Sequence, residues 1–179
     1  SVSHSTPDAV MYVINTRDGA ICYTGDFIID PLMRGAYDMD LGKIAYVGKK
    51  GVLALLQESS FSERSGHTSP NHRLVGVFRE AISHTKNRLM FLVLPTHLYT
   101  IQEIFDAAKN THRKMVVMGK QLQSLIDMAV KEKYLEIQEG LLGDLSNIDD
   151  KDAIILMADS KQNPYACISK VCLLYTSDA

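Results

Sequence analysis

His4 and Asp26 are the first residues of the chain whose types could do chemistry together. A neutral imidazole and a carboxylate are ordinary zinc ligands. They bracket the stretch SHSTPDAVMYVINTRDGAICYTGDF, Ser3 to Phe27, which reads as a β-hairpin. A hairpin returns its end beside its beginning, so two residues far apart in sequence can share one site. On spacing alone the plainer reading is stronger: a surface or core histidine, and a turn acid after Thr-Gly.

Glu58 is the second candidate. It closes the apolar run Gly51–Gln57 and precedes a polar loop. Ends of strands that lead into polar loops are where α/β proteins place functional groups. A solvated acid leaving a strand is the simpler account of Glu58 by itself. The third candidate is LPTHLYTIQEI, Leu94 to Ile104. A strand ends there, Thr96 or Thr100 is expected to cap the next helix, and His97 lies in the loop. Free amides at a helix N-terminus suit phosphate, but they suit an ordinary cap equally well.

The elements that must position these residues follow from pattern. Ala9–Asn15 and Ile21–Thr24 are rich in Val, Ile and Tyr, and Thr16-Arg17-Asp18-Gly19 between them carries an Asp-Gly turn. A short helix is expected near Asp40–Val47. Gly51–Gln57 suits a buried strand. The stretch ESSFSERSGHTSPNHR is a loop. Beyond it, helical spacing at Leu74, Val77, Phe78, Ala81 and Ile82 alternates with an apolar strand at Leu89–Leu94. A helix through Ile101, Ile104, Phe105 and Ala108 and a strand at Lys114–Met118 follow. Then come a helix through Leu122, Leu125, Ile126, Ala129 and Val130 and a strand at Ala153–Met157. Pro164–Lys170 is expected to be one more helix. Such alternation favours a parallel, doubly wound sheet. Candidate domains are 1–73 and 74–179.

Composition narrows the class. Apolar residues make up 46% and charged residues 22% of the 179, which is ordinary for a globular chain. A net charge of −2 advertises no general affinity for nucleic acid, although local positive charge or metal ions can still hold RNA. Cys22, Cys167 and Cys172 form neither a disulfide framework nor a zinc spacing, so a reducing cytoplasm is the default. No apolar run approaches a membrane span and no signal peptide is visible.

Taken together, these stretches resemble the ribonuclease J family, of the β-CASP branch of the metallo-β-lactamase fold. HSTPDAV…ICYTGDFIID is similar to its H-S-x-P-D and T-G-D-F-K-F-D segments. GVLALLQESSFSERSGHTSP is similar to G-V-L-x-L-L-S-D-S-T-N-A-E-R-P-G-Y-T-P. AAKNTHRKMVVMGKQLQSLIDMAVKEKYLEI is similar to A-A-x-x-T-G-R-K-V-x-V-x-G-R-S-M and the stretch after it. The resemblance runs nearly collinear from His4 to about Lys170.

It implies an internal fragment: part of a metallo-β-lactamase-like domain over 1–73, then part of a Rossmann-like β-CASP domain over 74–179. It implies a zinc-dependent ribonuclease acting on single-stranded RNA, 5′→3′ exonucleolytically and endonucleolytically. Two zinc ions per complete site are implied, with manganese the alternative. His4 would ligate one zinc, Asp26 would bridge both, and Glu58 would support a catalytic histidine. Thr96 and His97 stand where the family has the Ser-Asn of F-A-S-N-x-x-R, a turn that holds the RNA backbone. The family's T-G-D-F-K lysine is Ile28 here, and its G-S-Q-G-E-P is Asp159–Pro164. Dimers or tetramers with ribonuclease J-like subunits are also implied.

The family's H-x-H-x-D-H motif and its later catalytic histidines are not in this chain, so the piece is expected to be inactive alone. The closing residues, about 171–179, depart from the family and are read as a non-native tail. An incomplete first domain is expected to leave apolar strand faces open and to associate. Two other readings stand beside the enzyme: a catalytically weakened paralogue serving as a structural or RNA-binding subunit, and a nucleotide-binding α/β domain. The last lacks both G-x-G-x-x-G and G-x-x-x-x-G-K-[ST].

Overall fold

A computed structural model describes residues 1–60, 62–66 and 73–158. The chain divides into two compact units, Ser1–His72 and Arg73–Ala179. The expected helix at Pro164–Lys170, the Asp159–Pro164 segment and the tail lie outside the described residues.

The first unit opens on the hairpin. Strands β1 (Tyr12–Asn15) and β2 (Ala20–Tyr23) pair antiparallel, Tyr12 opposite Tyr23 and Asn15 opposite Ala20. The turn between them is held by Thr16, whose N–H and Oγ1 both donate to the Gly19 carbonyl, at 3.0 and 2.6 Å. Gly19 has φ +139°, and a Cβ there would stand 3.2 Å from the Leu53 Cβ, so the turn needs glycine for both conformation and space. Helix α1 (Leu41–Lys50) starts at Asp40, whose carboxylate accepts the Lys43 N–H at 2.9 Å. Strand β3 (Val52–Leu56) then pairs parallel with β2, giving the order β1-β2-β3.

One expectation fails here. The run Gly51–Gln57 forms its strand, but every residue of β3 is exposed, Leu55 at 58%. Its apolar character promised burial on both faces. Instead, among the described residues, β3 is an edge strand bonded to β2 alone. Ala20 and Cys22 are buried, while Tyr12, Ile14, Tyr23 and Leu56 stand open. The expected open apolar strand faces are therefore present.

The second unit is a parallel sheet. Strands β4 (Leu89–Val93), β5 (Lys114–Met118) and β6 (Ala153–Ala158) lie in the order β4-β6-β5, all parallel. Helices α2 (Val75–His84), α3 (Leu98–Ala108) and α4 (Lys120–Lys131) accompany it. The central strand reads AIILMA because both of its faces are covered. Ile154 and Leu156 join the main core with Ile101, Phe105 and Met115, while Ile155 and Met157 pack on the opposite face with Leu92, Met118 and Leu145.

Two buried polar side chains fasten this unit. Arg113, 3% exposed, donates from Nε to the Lys151 carbonyl at 3.1 Å and from Nη1 to the Ile82 carbonyl at 3.4 Å. Its Nη2 reaches the carbonyls of Asn87 and Lys151. One guanidinium thus ties the end of α2, the approach to β4 and the approach to β6. Glu103, in α3, accepts the Leu74 N–H with both carboxylate oxygens at 3.2 Å, satisfying the start of α2, where Leu74 offers no capping side chain of its own.

Candidate functional site

The site in the first unit is built by two pairings. Beyond the hairpin, Ser3 and Ile28 form an antiparallel bridge, with the Ile28 N–H donating to the Ser3 carbonyl at 2.9 Å. His4 is one residue after Ser3, and Asp26 is two before Ile28. At the other side, the Thr24 N–H donates to the Leu56 carbonyl at 3.1 Å, extending the parallel β2-β3 ladder past its last pair, Tyr23 with Leu56. Both strands therefore leave the sheet side by side, one toward Asp26 and the other toward Glu58. The three residues nominated from sequence come to one end of one sheet.

Local bonds set each of them. A hydrogen bond from the Val2 N–H to the Ala9 carbonyl, 2.8 Å, closes the loop that carries His4. His4 is half-buried, and its Nδ1 lies 3.4 Å from the Thr6 backbone nitrogen and 3.5 Å from Ser5 Oγ. A backbone N–H can only donate, so in this contact Nδ1 accepts from Thr6. Asp26 is exposed and follows Gly25 at φ +60°. Glu58 is exposed, and its Oε1 accepts the Ser60 N–H, which curls the loop back on the strand end.

A cleft of about 760 Å³ opens at Glu58. Phe27 and Ile28 line one part of it, and Glu58, Ser60 and Arg64 line another. By donor type His4 and Asp26 fit a metal ion. Among the described residues, however, no group of three or more His, Cys, Asp or Glu stands together to hold one. Two donors are fewer than a zinc site takes.

Thr96 and His97 lie in the second unit. The capping expectation is corrected there: neither Thr96 nor Thr100 occupies the N-cap position of α3. His97 occupies the N-cap position, without a side-chain capping bond, and Thr100 lies inside the helix. Backbone bonds close the turn, with the His97 N–H donating to the Leu94 carbonyl at 2.9 Å and the Ile101 N–H to the His97 carbonyl at 3.1 Å.

Sequence reasoning passed over Arg113 and Glu103. Their partners are 26 to 38 residues away along the chain. The only local signal was a charged residue of each kind inside otherwise ordinary patterns.

The second unit is an α/β fold with a parallel sheet, and the chain matches the family model for the β-CASP domain of ribonuclease J over residues 86–175. The chain belongs to the ribonuclease J family. It is 33% identical over 171 residues to Ribonuclease J2 of Bacillus subtilis strain 168, covering 94% of this chain and 31% of that protein. It is 30% identical over 174 residues to Ribonuclease J 2 of Staphylococcus saprophyticus, covering 96% of this chain and 31% of the relative. Against Ribonuclease J 2 of Staphylococcus aureus strain NCTC 8325 the identity is 29% over 174 residues, with the same coverage, 96% and 31%. The chain spans under a third of the length of these relatives. No helix among the described residues is long and apolar enough to cross a membrane.

Proposed function

We propose that this chain is part of a metal-dependent ribonuclease that hydrolyses RNA phosphodiesters, acting 5′→3′ and endonucleolytically in cytoplasmic RNA processing and decay. The observation that carries the reading is the arrival of His4, Asp26 and Glu58 at one end of the β1-β2-β3 sheet, through the Ser3–Ile28 bridge and the Thr24–Leu56 bond. Residues 1–73 are then part of a metallo-β-lactamase-like domain.

In this reading His4 and Asp26 are metal ligands, to two zinc ions or to manganese, and the remaining ligands come from elsewhere in the intact protein. Metal ions in such a site supply an activated water and stabilise charge on the phosphorus. Glu58 orients a catalytic histidine by accepting its ring N–H. Thr96 and His97 contact the RNA backbone from the second unit. The isolated chain is inactive, since a catalytic zinc needs about three protein ligands. The intact protein assembles with ribonuclease J-like subunits.

The test is hydrolysis of end-labelled single-stranded RNA by the intact protein that carries this sequence. The reading expects cleavage that a chelator stops, that added zinc or manganese restores, and that His4→Ala abolishes. Cleavage unaffected by both chelator and His4→Ala would refute it. A second reading, a weakened paralogue serving as an RNA-binding subunit, is favoured by Ile28 in the cleft and by Thr96-His97 at the start of α3. It expects RNA binding without hydrolysis.

A further inference from the structure

We infer that Thr24 is a positioning residue for Asp26: its hydroxyl holds the peptide plane from which Asp26 continues. This rests on the ribonuclease reading above, in which Asp26 is a metal ligand, and adds to it a residue that acts through its neighbours.

Strand β2 ends at Tyr23, and the chain reaches Asp26 through Gly25. Glycine loses more conformational freedom on ordering than any other residue, so a link through it needs a fastening. Crowding is not that fastening: a Cβ added to Gly25 would stand 3.9 Å from the Val10 carbonyl oxygen, an ordinary contact distance. Thr24 supplies two bonds instead. Its N–H donates to the Leu56 carbonyl at 3.1 Å, which anchors the residue to the sheet. Its Oγ1 donates to the Gly25 carbonyl at 2.9 Å.

The second bond is the one that reaches Asp26. The Gly25 carbonyl and the Asp26 N–H belong to one planar peptide unit, so a donor held on that carbonyl orients the whole plane. Asp26 is exposed, and its direction depends on the backbone before it. Thr24 suits the task. It is 6% exposed, so water competes little for its hydroxyl. Branching at Cβ restricts χ1, which keeps the hydroxyl aimed. A threonine that only shaped the turn would matter to stability; one that aims Asp26 matters to metal binding as well.

The test uses the intact protein and two variants that separate the hydroxyl from the methyl group. Zinc dissociation constants are read by competition with a chelator of known affinity, and melting temperatures are taken on the metal-free proteins. Thr24→Val keeps the shape and the bond to Leu56 but has no donor for Gly25. It should weaken zinc binding about tenfold, the lower end of the effect of groups that orient a ligand. In RNA turnover it should lower kcat about tenfold and leave KM nearly unchanged. Thr24→Ser keeps the hydroxyl and should hold zinc affinity and kcat within about twofold, although it loses a buried methyl group and melts lower. Metal binding and stability should therefore rank the two variants in opposite order.

If the unaltered protein binds no zinc, the metal-dependent reading falls and this assignment with it. If it binds zinc and Thr24→Val binds it equally well, the Thr24 assignment alone is overturned. The assignment is overturned too if zinc affinity in the two variants simply follows their melting temperatures. Should Thr24→Val fail to fold, Thr24→Ala is set against Thr24→Ser, and equal zinc affinity in that pair overturns the assignment.

Discussion

The amide of Thr24 donates to the carbonyl of Leu56 at 3.1 Å, one step beyond the last paired residues of β2 and β3. That bond keeps two chain exits parallel. One runs through Gly25 to Asp26, the other through Gln57 to Glu58. The site's geometry is therefore decided by backbone, before any functional side chain is considered.

Gly25 is the hinge of the first exit. It sits at φ +60°, and a Cβ added there would meet only the Val10 carbonyl, at 3.9 Å. Space is ample, so a substitution there is governed by backbone conformation. Gly25→Asn should be nearly neutral, because Asn adopts the left-handed region readily. Gly25→Val should cost about 1–3 kcal/mol and displace Asp26. Metal-dependent hydrolysis and thermal melting of the two variants in the intact protein check this together.

Arg113 should be the most sensitive polar position of the second unit. Arg113→Met removes the donor shared by the carbonyls of Ile82, Asn87 and Lys151, of which the Ile82 carbonyl is buried, and should cost about 1–3 kcal/mol. Arg113→Lys should recover only part, since an ammonium has no fork to span the three. Denaturant melts of the three proteins give the comparison.

These two sites show what a sequence can and cannot carry. The hairpin was legible because Asp18-Gly19 is a local turn signal, and β6 because AIILMA is a local apolar run. A short helix was expected near Asp40–Val47, and α1 starts at the Asp40 cap and runs on to Lys50. Arg113 was not legible: it follows His112 and precedes Lys114, and such a run reads as a solvated edge. Its meaning depends on carbonyls 26 to 38 residues away. Burial of β3 was misread for a related reason. Apolar content fixes what a strand prefers to touch, and only the sheet order shows that β3 is an edge. At the site, residue types suggested His4, Asp26 and Glu58, but convergence needed the Ser3–Ile28 bridge and the parallel β2-β3 register.

Glu103 caps a helix to which it does not belong. Glu103→Ala leaves the Leu74 N–H without its acceptor and should cost about 1–2 kcal/mol. Fraying should concentrate at the start of α2. Amide exchange of Leu74 and the residues of its first turn should speed up, while exchange within β6 changes only with global stability.

Asp40 gives the first unit an acid-sensitive cap. Accepting the Lys43 backbone N–H holds its carboxyl below the ordinary value of 3.8. A depressed folded value means the cap favours folding above pH 3.8, and that contribution is lost as pH falls through the lower folded value. Asp40→Asn keeps an acceptor for Lys43 but does not titrate. Its stability should therefore lack this acid-side slope, as denaturant melts between pH 2 and 6 would register.

The most direct test of the account is Asp26→Asn in the intact protein, assayed for cleavage of single-stranded RNA and for bound metal. Asparagine preserves the shape of the side chain and removes the charge that the proposed metal ligation would use. The account predicts loss of hydrolysis by at least about a hundredfold and loss of tightly bound metal, with the melting transition nearly unmoved. Full activity and full metal content in Asp26→Asn would contradict it.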